Sequence, residues 1–231
     1  MAITNSALDG LNLQWKPVAI AFMATAPAGL PRVNGALPAG CAYWKHASEG
    51  HRFYTTPEDH YNCPVGAFTH GVSLPDAQKQ ELEGLIGTMI KLEYLKGDEV
   101  ASIPHRHEPL QIAAYAPLAD ATFTPDVVII RGNPRQLMLV SEAARSAGAV
   151  DGADIMGRPA CAMIPHAIDT RSVVTSFGCI GNRVYTALAD DELYVAVSGK
   201  RLADMLGRLD AILGANAQLE TFHRQRNVTN A

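Results

Sequence analysis

Hydrophobic positions along the chain fall into two rhythms. Pro17 to Phe22, Ile112 to Leu118 and Asp126 to Ile130 are short, nearly continuous apolar runs bounded by proline or polar residues, and they predict buried strands. Phe53-Tyr54-Thr55-Thr56 predicts a further extended piece. Elsewhere the spacing is helical. Leu82, Leu85, Ile86, Met89 and Leu92 follow Pro75-Asp76, a good first turn, and predict a helix ending near Lys96-Gly97. Asn133-Pro134 opens another, running to about Ala147 with Gly148 as its stop. A stripe through Leu202, Met205, Leu206, Leu209, Ile212, Leu213, Asn216 and Leu219 predicts the longest helix, over about 200–224. Two strand-like runs, 183–188 and 192–197, flank Ala189-Asp190-Asp191 and predict a hairpin.

Between these elements lie two related frames. The first reads Pro38-Ala39-Gly40-Cys41-Ala42 and then Cys63-Pro64-Val65-Gly66; the second reads Pro159-Ala160-Cys161-Ala162 and then Cys179-Ile180-Gly181-Asn182. Pro38 to Glu49 suits a short helix with Cys41 in its first turn. Cys63-Pro64-Val65-Gly66 reads as a turn, because proline keeps the residue before it out of the helical region. The cysteine separations are 22 and 18 positions, and the offset between frames drifts from 120 to 116. The reading is α+β: residues 1–231 as one unit of two related lobes, about 1–120 and 121–231, with an internal duplication as the suspected origin. Such a molecule would place a site at the lobe interface, each lobe giving a pair of cysteines.

Composition narrows the function classes. With 231 residues, 48% hydrophobic and 18% charged, the chain can bury a substantial core. The formal net charge is -4, and no basic run interleaves with aromatics, so nucleic acid is not expected as a partner. No apolar run approaches the roughly 20 residues that cross a bilayer, and the first ten residues lack the pattern of a secretory signal. A cytoplasmic location is the expectation, with no membrane partner. There, four cysteines read as thiols, metal ligands or catalytic groups ahead of structural disulfides.

Cys41, Cys63, Cys161 and Cys179 could together hold an iron–sulfur cluster, with zinc as a weaker alternative, since thiolates bind both. There is no Cys-x-x-Cys knuckle and no ferredoxin spacing, so the ligands would have to assemble from distant loops. Each cysteine could equally be an ordinary small buried residue. His60, three positions before Cys63, and Asn182 and Arg183, just after Cys179, are candidates to tune such a site from behind its ligands. A metal-free enzyme is the alternative, with Cys63 or Cys179 as nucleophile, His60 or Arg183 as activator and a small anionic molecule as substrate. A third reading is a small-molecule or haem-binding module, suggested by Cys63-Pro64. His46, His51 and His70 read as surface histidines or turn caps, and His105-Arg106-His107 as a solvated loop. Gly178 to Arg183 precedes an expected strand, so it does not read as a phosphate cradle, which should open a helix.

Several blocks in order, Gly40-Cys41, Phe53-Tyr54-Thr55, His60 to Gly66, Ala114 to Leu118, Pro125 to Val128, Gly178 to Arg183 and Asp191-Glu192-Leu193, resemble the domain of unknown function 169 family. The likeness runs from about Pro17 to the last helix. It implies no settled reaction, and the cysteine pattern is its most suggestive feature. A redox partner or a small-molecule ligand would follow from the readings above.

Overall fold

Strands buried on both faces carry apolar residues at nearly every position, and that is how the three central strands read in the sequence. In the computed structural model, which describes residues 6–148, 154–156 and 159–229, they join one seven-stranded sheet. The elements in chain order are α1 (Ser6–Asp9), β1 (Val18–Met23), α2 (Ala42–Ser48), β2 (Phe53–Thr55), α3 (Pro64–Thr69), α4 (Asp76–Lys91), α5 (Glu99–Ser102) and β3 (Ile112–Pro117). There follow β4 (Val127–Gly132), α6 (Pro134–Ser146), β5 (Asp154–Met156), α7 (Met163–Thr170), β6 (Val173–Ser176), α8 (Ile180–Thr186), β7 (Leu193–Ser198) and α9 (Gly199–Thr229). The strand order is β2-β3-β1-β4-β7-β6-β5. Every neighbouring pair is antiparallel except β5 and β6, which run parallel. The fold is α+β.

Alternation along the strands sorts the core into two layers. Val18, Ile20, Val127, Ile129, Tyr115 and Tyr194 pack with Tyr43 and Trp44 of α2 and Met163 and Ile164 of α7. Ala19, Val128, Ile130, Val195 and Val197 point the other way, onto α6, the start of α9 and Leu8 and Leu11 near the N-terminus. All four cysteines belong to the α2 and α7 side.

The two halves share part of one order of elements, with α4 and α5 inserted in the first half only and α6 and β5 in the second only. In the first, β1 leads to Cys41, α2, β2, Cys63, α3 and finally β3, which inserts between β1 and β2. In the second, β4 leads to Cys161, α7, β6, Cys179, α8 and β7, which inserts between β4 and β6. The halves meet where β1 pairs antiparallel with β4, Val18 opposite Ile129.

Three expectations need correction. Residues 183–188 form no strand: Ile180–Thr186 is helical, the Arg183 amide donating to the Cys179 carbonyl at 2.9 Å, and the helix stops at Ala187 with φ 49°. Val184, in the run predicted as a strand, is 70% exposed, as is Ile180 before it at 72%, and the outer partner of β7 is β6. Gly178 therefore does precede a helix, a short one. Cys63-Pro64-Val65-Gly66 is likewise a helix start rather than a turn, with Cys63 extended (φ -131°, ψ 79°) as a residue before proline must be and Pro64 at the first helical position. His70 is fully buried, not a surface residue. The predicted helices at 76, 134 and 200 are present, the first ending at Lys91 rather than near Lys96-Gly97. Gln136 completes a reciprocal capping box with Asn133 at the start of α6. At Gly199 the chain turns straight from β7 into α9, and a Cβ there would lie 1.9 Å from the Pro125 carbonyl oxygen, so only glycine fits.

Candidate functional site

Each cysteine stands where a loop enters a helical segment. Cys41 precedes α2, and its carbonyl accepts from the Trp44 amide at 3.1 Å. Cys63 caps α3, its carbonyl accepting from the Ala67 amide at 2.8 Å. Cys161 lies in the single 3-10 turn that runs into α7, and Cys179 caps α8. Gly178, at φ +76°, aims that last loop, since a Cβ there would meet Asn182 Oδ1 and Leu188 at 2.8 Å.

Packing then draws these entries together. The loops of Cys41 and Cys63 touch backbone to backbone: a Cβ on Gly66 would be 3.6 Å from Gly40 Cα. The buried Tyr43 hydroxyl ties the same loops, donating to the Asp59 carbonyl at 2.5 Å and accepting from the Leu37 amide at 3.1 Å. Asp59 in turn receives Arg32 (3.0 and 3.1 Å) and the Thr56 amide (2.8 Å). Burial alone would raise its pKa, but Arg32 and then the Thr56 amide outweigh it and hold the carboxyl below its ordinary value. In the second half, the Arg183 guanidinium bridges the carbonyls of Phe177 (2.8 Å) and Ala189 (3.0 Å), fastening both ends of the Cys179 segment.

The outcome is a cavity of about 500 Å³ lined by Cys41, Cys63, Cys161 and Cys179 together. Asn182 also lines it. Its side chain is buried, 2% exposed, and both amide atoms lack a hydrogen-bond partner among the described residues. Arg183 and His60 do not line it. On a helix, consecutive side chains diverge by about 100°, so Asn182 faces the sulfurs while Arg183 holds the loop from outside.

His60 and His70 occupy the layer beneath α3. The His70 Nδ1–H donates to the Gly66 carbonyl at 2.7 Å, and His60 Nε2 lies 2.8 Å from the Thr55 hydroxyl, which itself donates to the Ala113 carbonyl at 3.3 Å. His60 Nδ1 and His70 Nε2 find no partner among the described residues. Burial keeps both rings neutral, with His60 lowered to about 3 and His70 to about 4.

The thiols influence one another. Burial, then the neighbouring Cys63, pushes Cys41 up to about 12, with Asn182 opposing; burial and Cys63 also push Cys161 well above its ordinary value. Both are neutral thiols at pH 7 in the metal-free protein, and a cation at the site would be needed to draw off their protons. Among the described residues, no group of three or more His, Cys, Asp or Glu side chains is arranged to hold a metal ion.

Four of the lining positions were readable as chemistry from the cysteines alone, and Asn182 from its place after Cys179. The remaining wall was not. Leu82, Leu85, Ile86 and Met89 of α4 line the cavity, and although their spacing marked a helix, nothing marked what that helix faced. Gly40 and Gly66 set the closest approach, and only their place beside the cysteines hinted at it.

An α+β protein with four cysteines on one cavity is the class that fold and site define. Within it, the chain belongs to the domain of unknown function 169 family, described as "Uncharacterised ArCR", whose model matches residues 9–208. It is similar to the uncharacterized protein MJ0308 of Methanocaldococcus jannaschii, 29% identical over 170 residues that cover 70% of this chain and 71% of that one. No solved structure matches the chain. No helix among the described residues is long and apolar enough to cross a membrane.

Proposed function

We propose that the protein is a redox or metal-binding protein in which Cys41, Cys63, Cys161 and Cys179 hold an iron–sulfur cluster of the four-iron type. The observation that carries this reading is the meeting of four cysteines, from four separate loops and both halves, on one cavity. A four-iron cluster takes one thiolate per iron and so spreads its ligands around its body. Asn182 fits the same reading, since its unpartnered amide adjoins Cys41 and can donate to a sulfur. Bound there, a cluster would supply one-electron transfer.

The thiol-enzyme alternative has less support. A nucleophilic cysteine needs a basic neighbour, and the activators named for it are engaged elsewhere, His60 with Thr55 and Arg183 with two carbonyls and Asp190. For a haem-binding role, Cys63 lines the cavity but no histidine does among the described residues. The repeated order of strands, helices and cysteines is what doubling of a cysteine-pair unit would leave, and we read the site as the junction of two such units.

The test is the series Cys41→Ser, Cys63→Ser, Cys161→Ser and Cys179→Ser, purified without oxygen. The unsubstituted protein should show broad absorption near 400 nm, and each variant should lose it. Retained colour in any two of the four would rule out a cluster held by all.

A further inference from the structure

Beyond the sulfurs, the same cavity continues along an apolar wall, and we propose that this part is a binding chamber for an uncharged, largely hydrocarbon small molecule. The inference deepens the proposed cluster site by naming what approaches it. A volume of about 500 Å³ lies within the range of small-molecule sites. Its walls are aliphatic and aromatic, and among the described lining residues there is no lysine, arginine or histidine, and Glu81 is the one carboxylate. An anion placed here would lose water and meet no cationic side chain among the described lining residues. This counts against the small anionic substrate considered from the sequence.

Helix α4 supplies the second observation. It is 16 residues long and none of them is buried, yet Leu82, Leu85, Ile86 and Met89 point one stripe at the cavity. Helices of this length draw their stability from packing an apolar face. Here Leu82 packs on the core while Leu85, Ile86 and Met89 are left to the cavity, and an apolar occupant would give them a contact.

The third observation fixes the polar end. Asn182, buried and without a partner among the described residues, lines the cavity with the cysteines, and Asn62 lines it too. A ligand with one neutral polar group, a carbonyl, hydroxyl or carboxamide, would place that group beside the sulfurs and its hydrocarbon part under α4.

The experiment is a fluorescence titration of the full-length protein with the neutral probe 1-aminoanthracene, and with 8-anilinonaphthalene-1-sulfonate as an anionic probe of similar size. Saturable binding of the neutral probe is expected with a Kd on the order of 10 μM, at least tenfold tighter than the anion. Ile86→Trp, which fills the chamber, should weaken it tenfold or more, and Leu82→Phe serves as a second filling variant if the first fails to fold. Leu219→Trp, on the exposed part of α9, should leave binding unchanged. Absent saturation, equal affinity for the two probes, or undiminished binding in a folded filled variant would each overturn the proposal. Iron analysis of the same preparation separates the two claims. Iron-free protein that binds the neutral probe keeps the chamber and removes the cluster; iron-loaded protein that does not bind it removes the chamber alone.

Discussion

Replacing Gly66 by alanine separates the site from the fold. Gly66 sits inside α3, and a Cβ there would lie 2.9 Å from Cys63 Sγ but 3.6 Å from Gly40 Cα, an ordinary contact. Carbon atoms settle at about 3.5–4.0 Å, so the sulfur must retreat by roughly 0.6–1 Å, which Cys63 achieves by twisting about its χ1. An off-rotamer side chain costs about 0.5–1.5 kcal/mol. Alanine in place of glycine within a helix returns about 0.8–1 kcal/mol. The two nearly cancel, so the melting temperature should move by less than about 4 °C. Metal loading has no such compensation, because a ligand displaced by about 1 Å no longer reaches its iron. Gly66→Ala purified without oxygen should therefore be folded and lose half or more of its iron. Gly84→Ala, where a Cβ meets nothing within 4 Å, is the control and should keep its iron. Full iron in a folded Gly66→Ala protein would refute the placement of Cys63 as a ligand.

Acid should destabilise the fold through His60 and His70. Both pKa values are lowered, so the unfolded chain takes up protons below pH 6.5 while the fold does not until about 3 and 4. The stabilisation is complete above pH 6.5 and is lost as the pH falls. Between pH 7 and 5 each ring accounts for about 2 kcal/mol, and urea midpoints that coincide at the two pH values would contradict the burial of both rings. Arg131 joins Glu192, the Thr186 and Ala187 carbonyls and the face of Trp15 in one buried knot behind α8. Arg131→Met leaves Glu192 without its charge partner and should cost about 3–5 kcal/mol in chemical denaturation, with a loss under 1 kcal/mol counting against the knot.

Much of the fold was legible because bulk and periodicity are local signals. β1, β3 and β4 announce themselves as apolar runs, and α6 by Asn133-Pro134. What escaped was set by tertiary contact. β6 is four residues long and is a strand because β7 lies beside it. α3 and α8, of six and seven residues, are too short for a helical period to mark them. At the site, the cysteines and Asn182 were readable by residue type, but their meeting depends on Gly40 touching Gly66 across 26 positions. Arg183 was misleading for a simple reason: its neighbour on the helix faces the sulfurs and it does not.

The central claim is that the four cysteines hold a cluster. Iron, acid-labile sulfide and zinc measured per chain on protein purified under strict anaerobiosis, together with the visible spectrum, test it directly. The account predicts about four irons and four sulfides with broad absorption near 400 nm. A colourless protein free of iron and sulfide, or one holding zinc alone, would contradict it.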